Sequence, residues 1–443
     1  MQLITKFFKV MLILGVISFL VGIHSNFTEM LVFLSICLYL VFFLYFNRSF
    51  VPLMYCIFIF LSILFPWICV QLEVGLEIMT WYSSEVSLHT MIYINIFILL
   101  VVSSYTVFKN IFNNVPWSIF SYQYKGLALE PKLIVFLFFI ISIFGDIGLY
   151  QLGLFKTVSQ EFVSSPFASY VKIFSSFKFM ALLYIGYLIM NNQADSFLKF
   201  LYFWVLIPYS VLIGISTGSR YLTLLPLIIT AYSHFSFYLR FMPVAIAVTP
   251  FLFMLFPILG HYRSMDNPTI SGATEKALED ITILENILAV ALDRFVQLGP
   301  INNVIETYKD NITYHSDYVF NLIGIIPRLF WPGKPSPIDT NDLGVQLMMI
   351  RPENYNTSVS IDVIGESFYQ LGYFGLLVAI FQGFIFWFVD NKIGDKSATG
   401  YILLFIVGFL VTTQGTYINI IPTILITIIT SLPFLWLLNR KAA

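Results

Sequence analysis

The sequence is short of charge and lacks the usual signatures of metal or nucleotide chemistry. Asp, Glu, Lys and Arg together make up 11% of 443 residues, against roughly 25% in a soluble globular chain. The five histidines show no HxxxH or HExxH spacing, so no metal-ligand pattern is present. There is no GxxxxGK[ST] loop, and energy from ATP is not indicated. A net charge of −1 makes no case for nucleic acid. The three cysteines, Cys37, Cys56 and Cys69, all sit in apolar segments and read as small hydrophobes, not as a disulfide or metal framework. Lys6 and Lys9 precede an apolar run with no small-residue cleavage site after it, which reads as an uncleaved first span.

What is there is hydrophobic: 58% of residues, with a mean hydropathy of +0.86. The apolar runs are long and unbroken, unlike the short alternating segments of a membrane β-barrel. The expected fold is therefore all-α, a polytopic membrane protein. About twelve spans fit at roughly 17–25 residues each: 5–23, 29–46, 51–72, 91–108, 133–150, 173–190, 199–216, 221–238, 241–259, 371–389, 399–416 and 419–438. The chain divides into helices 1–9 over 1–259, one large loop over 260–362, and helices 10–12 over 363–443. With a cytoplasmic N-terminus, Lys6, Lys9, Arg48, Lys109, Lys125, Lys132, Lys199, Arg240, Lys392, Lys396, Arg440 and Lys441 all fall inside. The short outer loops hold only Lys156, Lys172 and Arg220. This satisfies the positive-inside rule, puts the large loop outside and returns the C-terminus to the cytoplasm.

The large loop is polar in context but rich in Tyr, Trp, Phe, Leu and Ile, which disordered segments lack. It reads as a folded cap over a membrane-embedded site. Within it, 276–296 spaces apolar residues three or four apart, as an amphipathic helix does. Residues 318–330 are apolar but too short to span.

Three constellations carry candidate chemistry. Thr217-Gly218-Ser219-Arg220 joins two spans at the outer surface. An arginine there runs against the sidedness bias unless something repays it, and an anionic ligand would. Next, Pro327-Arg328 and Trp331-Pro332-Gly333-Lys334-Pro335 hold two cations on a proline-stiffened backbone. Arginine offers a fork that matches phosphate oxygens, and lysine a point charge. The third, Gly365-Glu366 followed by Leu371-Gly372 and Gly375, leads into the tenth span. Its glycines suit close helix packing. Glu366 is the best-placed carboxylate for proton abstraction; His315 ranks behind it as a base. Arg263, directly after the ninth span, is placed to share an anion site. Asp146 and Lys178 lie a turn or two inside the outer ends of their spans. Charges so placed are paired or functional, and these two are expected to pair with each other in a structural role.

At these three constellations the chain resembles the Wzy-type O-antigen polymerases, or oligosaccharide repeat-unit polymerases. The resemblance extends to the topology of nearly the whole chain. It departs in one respect: some members carry Arg followed eleven positions later by Gly in outer loops, and no arginine here has that spacing. The resemblance implies a polymerase in the bacterial inner membrane, acting on its periplasmic face without nucleotide sugar, metal or other cofactor. It would transfer a glycan from undecaprenyl pyrophosphate onto a lipid-linked repeat unit, with a chain-length regulator as protein partner. On that reading Glu366, Arg328 and Arg220 are catalytic, and Arg263, Arg294 and Lys334 bind pyrophosphate. Trp331, Tyr369 and His315 contact glycan. The rivals are an O-antigen ligase of the same architecture and a lipid-linked glycan flippase or transporter. Transporters tend to show repeated halves and midplane charges; this sequence shows no repeat, and its charges read as lying at the outer rim.

Overall fold

In the computed structural model, the described residues are 27–47, 49–71, 86–112, 124–125, 130–152, 168–217, 220–233, 258, 271–272, 274–275, 297–310, 361–393, 397–413 and 440–441. They form helices and one short ladder. In chain order, α1 is Phe27–Phe46. The rod α2 runs Phe50–Ile59, a π turn at Phe60–Leu64, then Phe65–Gln71. Next come α3 (Leu88–Phe112), β1 (Tyr124–Lys125), α4 (Pro131–Gln151) and α5 (Ala168–Met190). The rod α6 joins Ser196–Phe200, a π segment at Leu201–Leu206 and Ile207–Ser216, and α7 is Arg220–Ser233. Two short helices follow, α8 (Leu298–Tyr308) and α9 (Asp362–Leu371). The 3-10 turn Gly372–Gly375 then opens α10, which continues through Leu376–Phe388 and a π turn at Val389–Ile393. Finally come α11 (Ala398–Thr413) and β2 (Arg440–Lys441).

Among the described residues, seven helices are long and apolar enough to cross a membrane. They coincide with the expected second to seventh and tenth spans. The eighth and eleventh expected spans correspond to α7 and to the shorter apolar α11. The expected first and twelfth spans lie outside the described residues, as do all of the ninth but residue 258, and 276–296 and 318–330.

Lipid tails are as apolar as leucine, so membrane helices associate through close packing and polar contacts. Small residues supply that here. A Cβ on Gly145 of α4 would overlap the Ser175 backbone nitrogen of α5, and one on Gly214 of α6 would sit 2.5 Å from that of Thr223 on α7. A Cβ on Gly383 of α10 would run into Ser104 Oγ of α3. Each glycine marks a crossing that no larger residue fits. Exposed large apolar residues such as Phe136, Phe144, Phe200 and Trp204 cover the outer sides of α4 and α6, as lipid contact requires.

One end of the bundle is basic. There Lys109 donates to Asn47 at 2.7 Å, Lys132 pairs with Asp195 at 2.7 Å, and Tyr105 donates to Asp390 at 2.6 Å. The two-residue parallel ladder of β1 and β2 aligns Tyr124 with Arg440 and Lys125 with Lys441. That places two segments expected on one side of the membrane next to each other. Helices α8 and α9 enter the bundle from the opposite end.

Candidate functional site

Neither α8 nor α9 is long enough to span. At 1.5 Å per residue they cover roughly 15 Å each, about half of a bilayer core. Both are nevertheless buried. Every residue from Asp362 to Gln370 is buried, and so are Leu298 to Asn302, Val304 and Ile305. They run side by side in the same direction: a Cβ on Gly365 would lie 3.6 Å from the Ile301 Cα, and the Tyr308 and Tyr369 rings meet at 5.3 Å.

The first helix enters the bundle for a reason visible in the sequence. Pro66 of α2 has no N–H, so the Ser62 carbonyl four residues earlier loses its donor, and the helix relaxes into its π turn there. Ser62 instead accepts from the Gln297 backbone N–H at 3.0 Å. The N-terminal end of α8 is thus pinned to the middle of a span. Near its midpoint the helix is fixed to the start of α3, where the Ser87 N–H donates to Asn302 at 3.0 Å.

The second helix is fixed by a corner. Gly372 has φ 56° and ψ −134°, a region open to glycine. Ser367 and Gly375 would be about 12 Å apart along a continuous helix. A Cβ on Gly375 would instead strike the Ser367 carbonyl and approach the Tyr93 hydroxyl to 2.6 Å. The chain therefore folds back on itself, and α9 lies beside the top of α10 as a re-entrant arm. Tyr93 and Ser367 hydroxyls lie 3.2 Å apart and Tyr373 meets His89 Nε2 at 2.9 Å, so the corner is at the surface end of α3.

The arm carries polar side chains four residues apart: Asp362, Glu366 and Gln370, with Ser367 beside them. All four are buried, Glu366 at 1% exposure. A carboxylate held in such surroundings can accept or relay a proton, provided its charge is balanced in each state. At the rim, Glu306 takes a 2.6 Å bond from Lys309. Burial pushes its carboxyl up, but hydrogen bonds from Lys309 and Ser87, with the charges of Lys309 and His89, outweigh that and hold it below its ordinary value.

The expected site residues fall into two groups. Glu366 and Tyr369 lie on the buried arm. Arg220 opens α7 at the junction after Thr217, whose hydroxyl donates to the Gly214 carbonyl at 2.8 Å. Arg263, Arg294, His315, Arg328, Trp331 and Lys334 lie outside the described residues. The expected Asp146–Lys178 pair is present: Lys178 Nζ sits 2.7 and 3.0 Å from the two carboxylate oxygens, and Ser175 and Tyr209 donate to the same group at 2.5 and 2.6 Å. Buried polar residues that the sequence analysis does not single out include Asp362, Gln370, Gln297 and Gln382. A signal exists in Gln382, a lone amide within the apolar run of the tenth span, and in the four-residue spacing that ends at Gln370.

Among the described residues no group of three or more His, Cys, Asp or Glu is arranged to hold a metal ion. A model of the O-antigen polysaccharide polymerase Wzy family matches residues 3–441, nearly the entire chain. No curated protein and no solved structure gives a significant match.

Proposed function

The chain belongs to the O-antigen polysaccharide polymerase Wzy family, and from that membership we propose that it is an inner-membrane glycosyltransferase moving a growing glycan from undecaprenyl pyrophosphate onto a lipid-linked repeat unit. The observation that carries the reading is the buried re-entrant arm with Glu366 on it. A transfer between two lipid-linked substrates needs a polar group inside the bundle yet close to the surface where the sugars lie.

In this mechanism Glu366 takes the proton from the acceptor hydroxyl as its oxygen attacks the anomeric carbon of the donor. The new glycosidic bond forms while the bond from that carbon to the pyrophosphate oxygen breaks. The leaving diphosphate gains negative charge, which preorganised cations stabilise. Arg328 and Arg220 are assigned that role, with Arg263, Arg294 and Lys334 binding the pyrophosphate. Trp331, Tyr369 and His315 contact the sugars. In this reading the basic end of the bundle is cytoplasmic, as the positive-inside rule favours, and the arm and the large loop are assigned to the periplasmic side. A chain-length regulator is the expected protein partner.

The test is the glycan profile of a deletion strain complemented with variants at normal expression. Glu366→Gln should cut polymerisation by roughly 10²- to 10⁴-fold, the usual contribution of a general base, leaving single capped repeats. Arg328→Ala should likewise remove long chains. In the deletion strain, polymer left on its carrier would indicate a ligase instead, and repeats held in the cytoplasm a flippase.

A further inference from the structure

A second polar site lies below the arm, at about the middle of the membrane. It is a cavity of about 10 Å³, room for roughly one water-sized particle, lined by Tyr55, Asp362, Gln382 and Thr412 among apolar neighbours such as Phe58 and Ile59. Gln382 comes ten residues after the corner at Gly372, roughly 15 Å along α10, which is half of a ~30 Å core.

Its lining is unusual in two respects. Asp362 is 4% exposed, and no lysine or arginine pairs with it among the described residues. Its carboxylate accepts from the neighbouring Val363 N–H at 2.5 Å. Its backbone is also in the left-handed region, φ 49°, which costs a non-glycine residue of order 1–2 kcal/mol. Gln382 is likewise 4% exposed, and its Oε1 has no hydrogen-bond partner among the described residues. The Thr412 hydroxyl spends its proton on the Gly408 carbonyl at 2.7 Å and so presents lone pairs. The cavity therefore offers oxygen acceptors from three or more side chains, one of them a carboxyl with no cationic partner among the described residues, in a place where a buried anion without a counter-charge is strongly disfavoured.

We propose that this cavity binds a monovalent alkali cation, held by the Asp362 carboxylate, Gln382 Oε1 and the hydroxyl oxygens of Thr412 and Tyr55. The charge decides the valence, since one carboxylate balances one positive charge and a divalent ion would leave an excess. Oxygen-only ligation suits a hard cation. The bound ion ties the deep end of the α9 arm to α2, α10 and α11, and so sets the position of Glu366 one turn above. The site does not depend on the proposed reaction: the ion is a positioning element and takes no part in bond making.

The test is thermal unfolding of the purified protein in detergent, titrated with NaCl, KCl or choline chloride at constant total ionic strength. The midpoint should rise with sodium or potassium over choline in the wild type and be flat in Asp362→Asn. Gln382→Leu should need about tenfold more alkali ion for the same shift, the loss of one charge-assisted ligand. Equal stabilisation by choline overturns the site. So does indifference of the wild type to alkali ions, which would mean that Asp362 carries a proton instead. If Asp362→Asn does not fold, a Gln382→Leu titration that superimposes on the wild type overturns it equally.

Discussion

Asp146 and Lys178 are a charge pair that the amino-acid sequence alone identifies. Both lie inside spans, where neither could remain alone, and they are buried together with a 2.7 Å contact. Tyr209 and Ser175 complete the carboxylate's bonding. Asp146→Ala should cost about 3–5 kcal/mol, because it strands a buried ammonium; the double change Asp146→Leu with Lys178→Met should cost much less. Thermal unfolding of the three proteins in one detergent checks the ordering. At the rim, Glu306 makes a pH prediction. Its carboxyl is held below its ordinary value, which is about 4.3, so its contribution is present above that pH and lost as pH falls through the lowered value. The stability difference between wild type and Glu306→Gln should be present near neutrality and vanish in strong acid, read from unfolding midpoints across pH. Both groups are about one-third exposed, so the difference is small.

Among the elements, the arm α9 and its corner carry two glycines of different kind. Gly375 sits where a Cβ would strike the Ser367 backbone, while Gly365 meets an Ile301 side-chain carbon at an ordinary 3.4 Å. Gly375→Ala should displace the arm and sharply reduce polymer formation, while Gly365→Ala should fold and function nearly as the wild type. Equal behaviour of the two variants would argue against the folded-back arm. Sequence pattern suggests that Gly372 and Gly375 both permit close helix packing. Gly375 does so, whereas Gly372 serves as the corner itself. The same pattern suggests that the run from Gly365 to Gly375 leads directly into the tenth span. Instead it forms a separate buried helix, because the glycine corner turns the chain back before the span begins.

For the molecule as a whole, the rival transporter reading turns on where the charges lie and on internal repeats. Asp362 at about mid-depth complicates the first of these, and the match of residues 3–441 to the polymerase family decides for a polymerase. The described spans lie where hydropathy puts them, since length and apolarity are properties of a single segment. The pairing of Asp146 with Lys178 is legible for a similar reason, because each charge constrains its own span. Two half-length helices buried beside full spans are not readable in that way. Their apolar content is too low for hydropathy to mark them, and what places them is backbone geometry: a carbonyl orphaned by Pro66 that binds Gln297 from a distant part of the chain, and a tight corner that brings Gly375 against Ser367. Membrane class and the described spans thus follow from composition and local pattern alone, and the family from the resemblance at three short constellations and the match over residues 3–441. The burial of Glu366 and Asp362 within the bundle is settled only in three dimensions, since it depends on the glycine corner and on contacts such as that of Tyr93 with Ser367, 274 residues apart in the chain.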